Sequence, residues 1–204
     1  MEERLIAGVD EVGRGCIFGE VVAAAVVLPL KKVHLLRQIG VTDSKTLSPH
    51  KRKKLFPLIQ QLVSAYHLAE VDNTTIDRIN IHQAVIQAMT KAVEGLGITP
   101  SVCLIDGPFT LTPTLQSPAP FRQIPLVRGD KRSPVIAAAS ILAKVWRDEK
   151  MRQYHQIYPQ YDLLNNKGYP TKKHLASIAR YGITPHHRLS FTPCGVYSHS
   201  SQEH

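Results

Sequence analysis

Cysteines and long apolar runs are both scarce in this sequence. The longest apolar run covers residues 21–28 and stops at Pro29, well short of the ~20 residues that cross a bilayer. We therefore expect no contact with a membrane, and no signal peptide, because the opening Met1-Glu2-Glu3-Arg4 lacks a basic start with an apolar middle. The three scattered cysteines form no metal-type or disulfide-type pair, which favours a reducing, cytoplasmic location.

Aromatic and acidic residues are also few. Aromatics make up 6% of the chain, which argues against a non-catalytic module that stacks on exposed bases. The chain has 16 Asp and Glu residues and 25 Lys and Arg residues, for a net charge of +9. This excess of positive charge predicts a polyanionic partner such as nucleic acid. A length of 204 residues with 43% hydrophobic residues is typical of one globular domain with room for a small addition, and we expect a monomer.

The hydrophobic pattern predicts strands mixed with helices. Strands are expected at residues 5–9, 20–28, 66–71 and 102–105. Helices are expected to start at Ser48-Pro49, Asn80, Ser133-Pro134 and Thr171, with Pro57 kinking or restarting the first. The prolines from Pro108 to Pro125 predict an irregular surface loop, and residues 198–204 a disordered tail. This order predicts an α/β fold with a mixed central sheet flanked by helices and a small helical C-terminal part.

Carboxylates follow the predicted strands. Asp10-Glu11 and Asp106 come directly after strand-like segments, and Asp130 lies between a glycine and a lysine at another strand end. Sites assemble at strand ends, and converging carboxylates repel each other unless hard cations such as Mg²⁺ or Mn²⁺ are bound. The alternative is ordinary turn chemistry, because Asp-Gly and Gly-Asp pairs are common in turns. The glycines around Arg14 could let backbone N–H groups approach a phosphate or a sugar hydroxyl.

Seven short blocks of the sequence, in order, resemble the ribonuclease HII family over roughly residues 5–192. They are GVDEVGRG (8–15), DSKTLS (43–48), IDRINI (76–81), LIDG (104–107), RGD (128–130), AASILAKV (138–145, followed by Arg147-Asp148) and KGYPT (167–171). Two positions depart from the family pattern, since Cys16 stands where proline is expected and Trp146 where threonine is usual.

The resemblance implies a ribonuclease H-like catalytic domain in residues 1–150 and a helical extension in residues 151–204 that completes the substrate groove. It implies cleavage of the RNA strand of RNA–DNA hybrids, and cutting 5′ of single ribonucleotides in duplex DNA. The implied catalytic and metal-binding acids are Asp10, Glu11, Asp106 and Asp130, holding two Mg²⁺ or Mn²⁺ ions. Asp148 competes with Asp130 for the fourth position, although an intrahelical ion pair would also explain it.

The resemblance also suggests which residues contact the substrate. The Gly13-Arg14-Gly15 loop would read the 2′-hydroxyl, and Tyr169 would stack on the next sugar, unless it is a half-buried core tyrosine. Contacts to phosphates are expected from Lys45, Lys144 and Arg147, with solvated surface charge as the alternative.

Two further groups of residues remain open in the sequence. The hydroxyl of Ser140 could assist the site, or it could face the core among alanines. His186-His187-Arg188 suggests a phosphate-side or surface role more than a pair of metal ligands. The rival to the whole assignment is another metal-dependent nuclease or resolvase of the same broad fold, which would not need the glycine loop together with Tyr169.

Overall fold

The computed structural model describes residues 4–112 and 121–197. The strands are β1 (Leu5–Val12), β2 (Val21–Pro29), β3 (Ala65–Val71), β4 (Val102–Asp106) and β5 (Arg122–Leu126). The helices are α1 (Val33–Gln38), α2 (Pro49–Leu62), α3 (Asn73–Glu94), α4 (Gly129–Arg132), α5 (Pro134–Ile157), α6 (Leu163–Asn166), α7 (Lys172–Tyr181) and α8 (Cys194–Tyr197). Short 3₁₀ turns cover Leu30–Lys32 and Pro159–Tyr161.

The strands form one five-stranded sheet in the order β3-β2-β1-β4-β5. Strands β1, β2 and β3 pair antiparallel, whereas β4 runs parallel to both β1 and β5. The predicted mixed sheet flanked by helices is therefore confirmed. The parallel pairing has a consequence for function, because it brings the C-terminal ends of β1 and β4 to the same edge of the sheet.

Strand β2 is buried along its whole length, as its continuous apolar sequence predicts. One face of the sheet packs against α3, and the other packs against α1, α2 and α5. Helix α5 lies directly on β1, because a β-carbon on Gly8 would come within 2.7 Å of the Val135 carbonyl carbon. This close approach places the α5 side chains beside the end of β1.

Helix starts are confirmed at three of the four predicted positions. Ser48, Ser133 and Thr171 each cap a helix with a side-chain oxygen that accepts a backbone N–H bond. Helix α3 differs, since it begins at Asn73 under an Asp72 cap. Asn80 interrupts it with a φ of 66° and accepts a bond from the Gln83 N–H. The predicted cap at Asn80 is therefore present, but inside a longer, kinked helix.

Prolines are better tolerated here than the sequence suggests. Pro57 lies inside α2, which continues to Leu62. Pro125 belongs to β5, so the end of the expected proline-rich loop is a strand. This strand is an edge of the sheet, where a missing N–H is acceptable. The middle of that loop, residues 113–120, and the predicted disordered tail lie outside the described residues.

The C-terminal part has its own core. Phe18, from the loop after β1, packs there with Tyr161, Ile178 and Cys194. Helix α5 runs through position 150, where sequence analysis places the start of the extension, and that division stays a prediction. Within residues 4–112 and 121–197, no helix has the length and apolarity needed to cross a membrane.

Candidate active site

Three carboxylates meet where β1 and β4 end. Asp10 and Glu11 lie in the last half of β1, and Asp106 is the final residue of β4. Val9 pairs with Ile105 in the parallel register, so the residues that follow them, Asp10 and Asp106, lie beside each other. Oxygen atoms from all three carboxylates lie within 4.8 Å of one another. The sequence expectation that these acids converge is confirmed by this geometry.

The cluster is partly buried, with Asp10 buried and Glu11 and Asp106 half-buried, and it is electrostatically unfavourable without a cation. Asp10 is 5% exposed. Burial, followed by the charges of Glu11 and Asp106, raises the pKa of Asp10 well above its usual value. Burial and the charge of Asp106 likewise raise the pKa of Glu11, and burial with the charge of Asp130 raises that of Asp106. Buried carboxylates with raised pKa values in one cleft are typical of a functional site.

Asp130 lies next to the cluster but has a different partner. It sits in the short helix α4, 3% exposed, and its backbone N–H faces Asp106 Oδ1 at 3.3 Å. Its carboxylate accepts a bond from Lys45 Nζ at 3.0 Å. That bond is the main cause of a raised Lys45 pKa.

Asp148, the competing candidate for the fourth acid, is engaged elsewhere. Its carboxylate pairs with Lys144 at 2.8 Å, one helical turn before it on α5, and lies 3.7 Å from Arg52. The intrahelical ion pair considered from the sequence is therefore present. The backbone N–H of Asp130 contacts the Asp106 carboxylate, so Asp130 is a better candidate than Asp148 for the fourth acid.

A pocket of about 290 Å³ opens beside the acids. Its lining includes half of the twelve site residues that the sequence singled out, namely Asp10, Glu11, Lys45, Ser140, Lys144 and Tyr169. Ser140 does not simply face the core, because its hydroxyl bonds Asp10, which offsets part of the rise in the Asp10 pKa that burial causes, and also lies 2.9 Å from Ser44 Oγ.

Sequence reasoning missed Ser44 and Arg52. Both line the pocket, and Arg52 donates to the Ser44 carbonyl at 2.7 Å, which fixes the loop that carries Lys45. Ser44 could have been found, since it belongs to the DSKTLS block. Arg52 gives no such signal, because it stands among several lysines of a basic helix that look equally exposed in the sequence.

The loop after β1 approaches Tyr169. A β-carbon on Gly15 would lie 3.8 Å from Tyr169 Cε1, so the loop and the aromatic ring are neighbours. Tyr169 is 41% exposed, which leaves part of its ring open at the pocket. The Arg14 guanidinium lies over the Phe109 ring at 5.3 Å, and its charge offsets part of the rise in the pKa of Glu11 that burial and Asp106 cause.

Arg147 lies in a different place from the one expected. It is fully buried and donates to the backbone carbonyls of Glu20, Lys167 and Phe18 at 2.6–3.2 Å. Gly13, with a φ of +95°, leaves no room for a β-carbon against this guanidinium. The expected phosphate contact is contradicted, because a side chain with its donors bound to backbone inside the protein cannot reach a substrate.

His187 and Arg188 are also buried, at 1% and 0% exposure. The surface or phosphate-side role suggested by the sequence is therefore wrong for these two residues. His187 contacts the His174 ring, and Arg188 donates to the carbonyls of Gly19 and Arg14. The sequence holds no local signal for this, because the partners lie far along the chain.

The acids fit a divalent metal ion. Carboxylate oxygens are ligands that hard cations such as Mg²⁺ and Mn²⁺ prefer. Within the described residues, Glu11 Oε2 is buried without a hydrogen-bond partner, so this oxygen has a lone pair that an ion can use. A bound cation would also offset the repulsion that raises the three pKa values.

Comparison with known proteins gives consistent matches. A family model for ribonuclease HII matches residues 7–194. Ribonuclease HII from Microcystis aeruginosa is 49% identical over 193 residues, covering 94% of this chain and 89% of the relative. The crystal structure of ribonuclease H2 from Pyrococcus horikoshii OT3 superposes with a TM-score of 0.82 at 25% identity, covering 98% of this chain and 100% of the other.

A more distant structure shares the fold. Bst-RNase HIII, solved in complex with Mn²⁺, matches with a TM-score of 0.71 at 21% identity, covering 99% of this chain and 71% of the other. Fold and acidic cluster together define a nuclease of the ribonuclease H-like class that fits divalent metal ions. The chain belongs to the ribonuclease HII family. It is a ribonuclease H, an endonuclease that acts on nucleic acid.

Proposed function

We propose that this enzyme cleaves the RNA strand of RNA–DNA hybrids and also cuts duplex DNA on the 5′ side of a single embedded ribonucleotide. The observation that carries the proposal is the arrangement of the pocket. Asp10 and Glu11 of the acidic cluster line one small cleft together with the partly exposed ring of Tyr169, and Gly15 of the Gly13–Gly15 loop lies beside that ring. A nuclease without selectivity for ribose would need the acids but not the other two elements.

Asp10, Glu11 and Asp106 would hold the ions, with Asp130 as the fourth acid. Two Mg²⁺ or Mn²⁺ ions, when bound, supply positive charge for attack by water on the phosphodiester and for departure of the 3′-oxygen, leaving 5′-phosphate and 3′-hydroxyl ends. The chain's contribution is to fix the carboxylates: β1 and β4 hold their backbones, Ser140 bonds Asp10, and the Gly129 N–H donates to Asp106 Oδ1 at 2.6 Å. Mn²⁺ in Bst-RNase HIII supports this choice of ion.

Recognition of ribose would rest on the loop and the tyrosine. The 2′-hydroxyl is the group that separates RNA from DNA. Backbone groups of Gly13 and Gly15 can approach it, because neither residue has a β-carbon. The ring of Tyr169, beside Gly15, would then stack on the following sugar, where a deoxyribose fits better than a ribose.

Positive charge at the pocket would hold the phosphates. The Lys45 side chain is 77% exposed although its ammonium group bonds Asp130, so it can face substrate and acid together. Lys144 lines the same pocket. Such contacts to phosphates do not depend on the base sequence of the nucleic acid, and they weaken as the salt concentration rises. We further infer that residues 151–204 complete the groove, because Tyr169 belongs to that part, and that the protein acts as a monomer.

The proposal is tested with end-labelled duplexes that differ at one sugar. One duplex is all DNA, one carries a single ribonucleotide, and one is an RNA–DNA hybrid, each incubated with Mg²⁺ or Mn²⁺. We expect cleavage 5′ of the single ribonucleotide and along the hybrid, with the all-DNA duplex intact. Equal cutting of the all-DNA duplex, or cutting of the hybrid alone, would contradict the proposal.

A further inference from the structure

Two buried histidines stand behind Tyr169. His174, on α7, places Nδ1 at 2.9 Å from the Tyr169 carbonyl oxygen. Its other ring nitrogen, Nε2, lies 3.2 Å from Nε2 of His187. His187 in turn has Nδ1 at 2.9 Å from the Thr184 backbone N–H. The chain of contacts therefore runs from Thr184 through both rings to the Tyr169 backbone.

The contacts at the two ends fix the position of every ring proton. A carbonyl oxygen only accepts, so His174 carries its proton on Nδ1 and presents a lone pair at Nε2. The Thr184 N–H only donates, so His187 accepts at Nδ1 and carries its proton on Nε2. That proton points at the His174 lone pair. Burial lowers the pKa of both rings, that of His187 to about 3, which keeps this neutral pair intact near pH 7.

The segment that carries His187 also binds the loop after β1. The His186 carbonyl accepts from the Gly19 N–H at 2.8 Å, and the Arg188 N–H donates to the Ile17 carbonyl at 2.9 Å. The Arg188 guanidinium adds bonds to the carbonyls of Gly19 and Arg14. One short segment therefore contacts both the Gly13–Gly15 loop region and, through the histidine pair, the backbone of Tyr169.

We propose that His174 and His187 are positioning residues that set the distance between the Tyr169 ring and the Gly13–Gly15 loop, and so determine selectivity for the junction between ribose and deoxyribose. The inference rests on the proposed function of Tyr169. Neither histidine reaches the pocket, because both are buried, at 0% and 1% exposure. They act through the main chain of Tyr169, whose ring alone meets the sugar.

Two amide substitutions at His174 separate positioning from folding. In His174→Asn the amide nitrogen takes the place of Nδ1 and can still donate to the Tyr169 carbonyl. In His174→Gln it takes the place of Nε2, and the bond to Tyr169 is lost. Ser177→Ala is the matched control, since Ser177 is buried on the same helix and bonds Gln160 and Lys173 but not Tyr169.

The readout is the ratio of initial rates on the single-ribonucleotide duplex and on the long hybrid. A general loss of stability lowers both rates and leaves the ratio unchanged. We expect His174→Gln to lower the ratio about tenfold, less than the roughly 10²-fold that a full 1 Å misplacement of a positioned group can cost. Ser177→Ala should keep it. His174→Asn, which retains the bond to Tyr169 but loses the contact to His187, should lower it by less than His174→Gln does. If His174→Gln does not fold, His187→Asn, which retains an acceptor for Thr184 but loses the contact to His174, should lower the ratio by less.

Tyr169→Ala separates failure of this inference from failure of the proposed function. A low ratio in Tyr169→Ala with an unchanged ratio in His174→Gln and His187→Asn would overturn the positioning role and leave the Tyr169 proposal intact. An unchanged ratio in Tyr169→Ala would overturn both. In the Tyr169→Ala background, His174→Gln should lower the ratio no further, and an additional loss there would show that His174 acts by another route.

Discussion

Two charged sites inside this molecule differ in whether other protein groups balance their charge. Arg147, at the junction of the sheet and the C-terminal part, directs its donors to three backbone carbonyls. At the end of β1 and β4, burial and the charges of neighbouring carboxylates raise the pKa values of Asp10, Glu11 and Asp106, and Glu11 Oε2 has no partner among the described residues. Compensated burial indicates a structural role, whereas uncompensated burial marks the place where a cation and a substrate are expected.

The largest expected effect is on the cleavage rate when an acid of the cluster is replaced. Asp10→Asn removes one metal-binding carboxylate, and we expect the cleavage rate of an RNA–DNA hybrid to fall at least roughly 10²–10³-fold, the order lost with a major electrostatic contribution. Hybrid binding, measured by fluorescence anisotropy, should be retained, because less negative charge faces the phosphates. Glu149→Gln is the control, since Glu149 pairs with Lys53 and Arg152, which do not line the pocket. An equal loss of rate in both variants would contradict the assignment of the acids.

The next effect is on stability at the compensated group. Arg147→Met leaves three buried carbonyls without a donor, and we expect the free energy of unfolding, from urea titration, to fall by about 3–5 kcal/mol. Lys144→Met, on the same helix and partly exposed, should cost much less. If Arg147 were a phosphate contact, its loss would leave stability unchanged and would instead reduce the salt dependence of binding.

The smallest effect depends on pH and concerns the histidine pair. The pKa of His187 in the folded protein is lowered to about 3, against a usual value near 6.5, so the unfolded chain binds more protons between these values. Stability from this group is therefore complete above about pH 6.5 and declines as the pH falls towards 3.

The acidic cluster works in the opposite direction, because its raised pKa values make the folded protein bind extra protons as the pH falls. The measurement therefore compares unfolding of the wild type and His187→Asn at each pH from 7 to 4, which cancels the contribution of the cluster. We expect the stability advantage of the wild type to shrink with falling pH. Parallel curves would show that His187 does not titrate as the structure indicates.

The contrast between the two groups also explains what the sequence could predict. Asp10, Glu11 and Asp106 were found because carboxylates after apolar strands converge whenever the strands run parallel. The role of Arg147 was missed, because its partners are carbonyls of Phe18, Glu20 and Lys167 in distant loops, and loop backbones leave no pattern in the sequence.

Local signals were reliable where the chemistry is local. Ser48, Ser133 and Thr171 cap helices as predicted, because an N-cap needs only neighbouring residues. Asn80 shows where such signals stop. Its side chain does cap a helical segment, but tertiary packing of Ile76 in the core extends the helix before it. The pairing of His174 with His187 is likewise a product of the fold alone.

The most direct test of the acidic cluster as a metal site is the melting temperature of the wild type and of Asp10→Asn, each measured with EDTA and with Mn²⁺. Without metal, the substitution relieves repulsion, so Asp10→Asn should melt higher than the wild type, by about 2–4 °C for each kcal/mol relieved. Mn²⁺ that binds to the native state should raise the melting temperature of the wild type markedly and that of Asp10→Asn much less. If Asp10→Asn melts lower without metal, and Mn²⁺ shifts both proteins equally, the acids are not an uncompensated metal site.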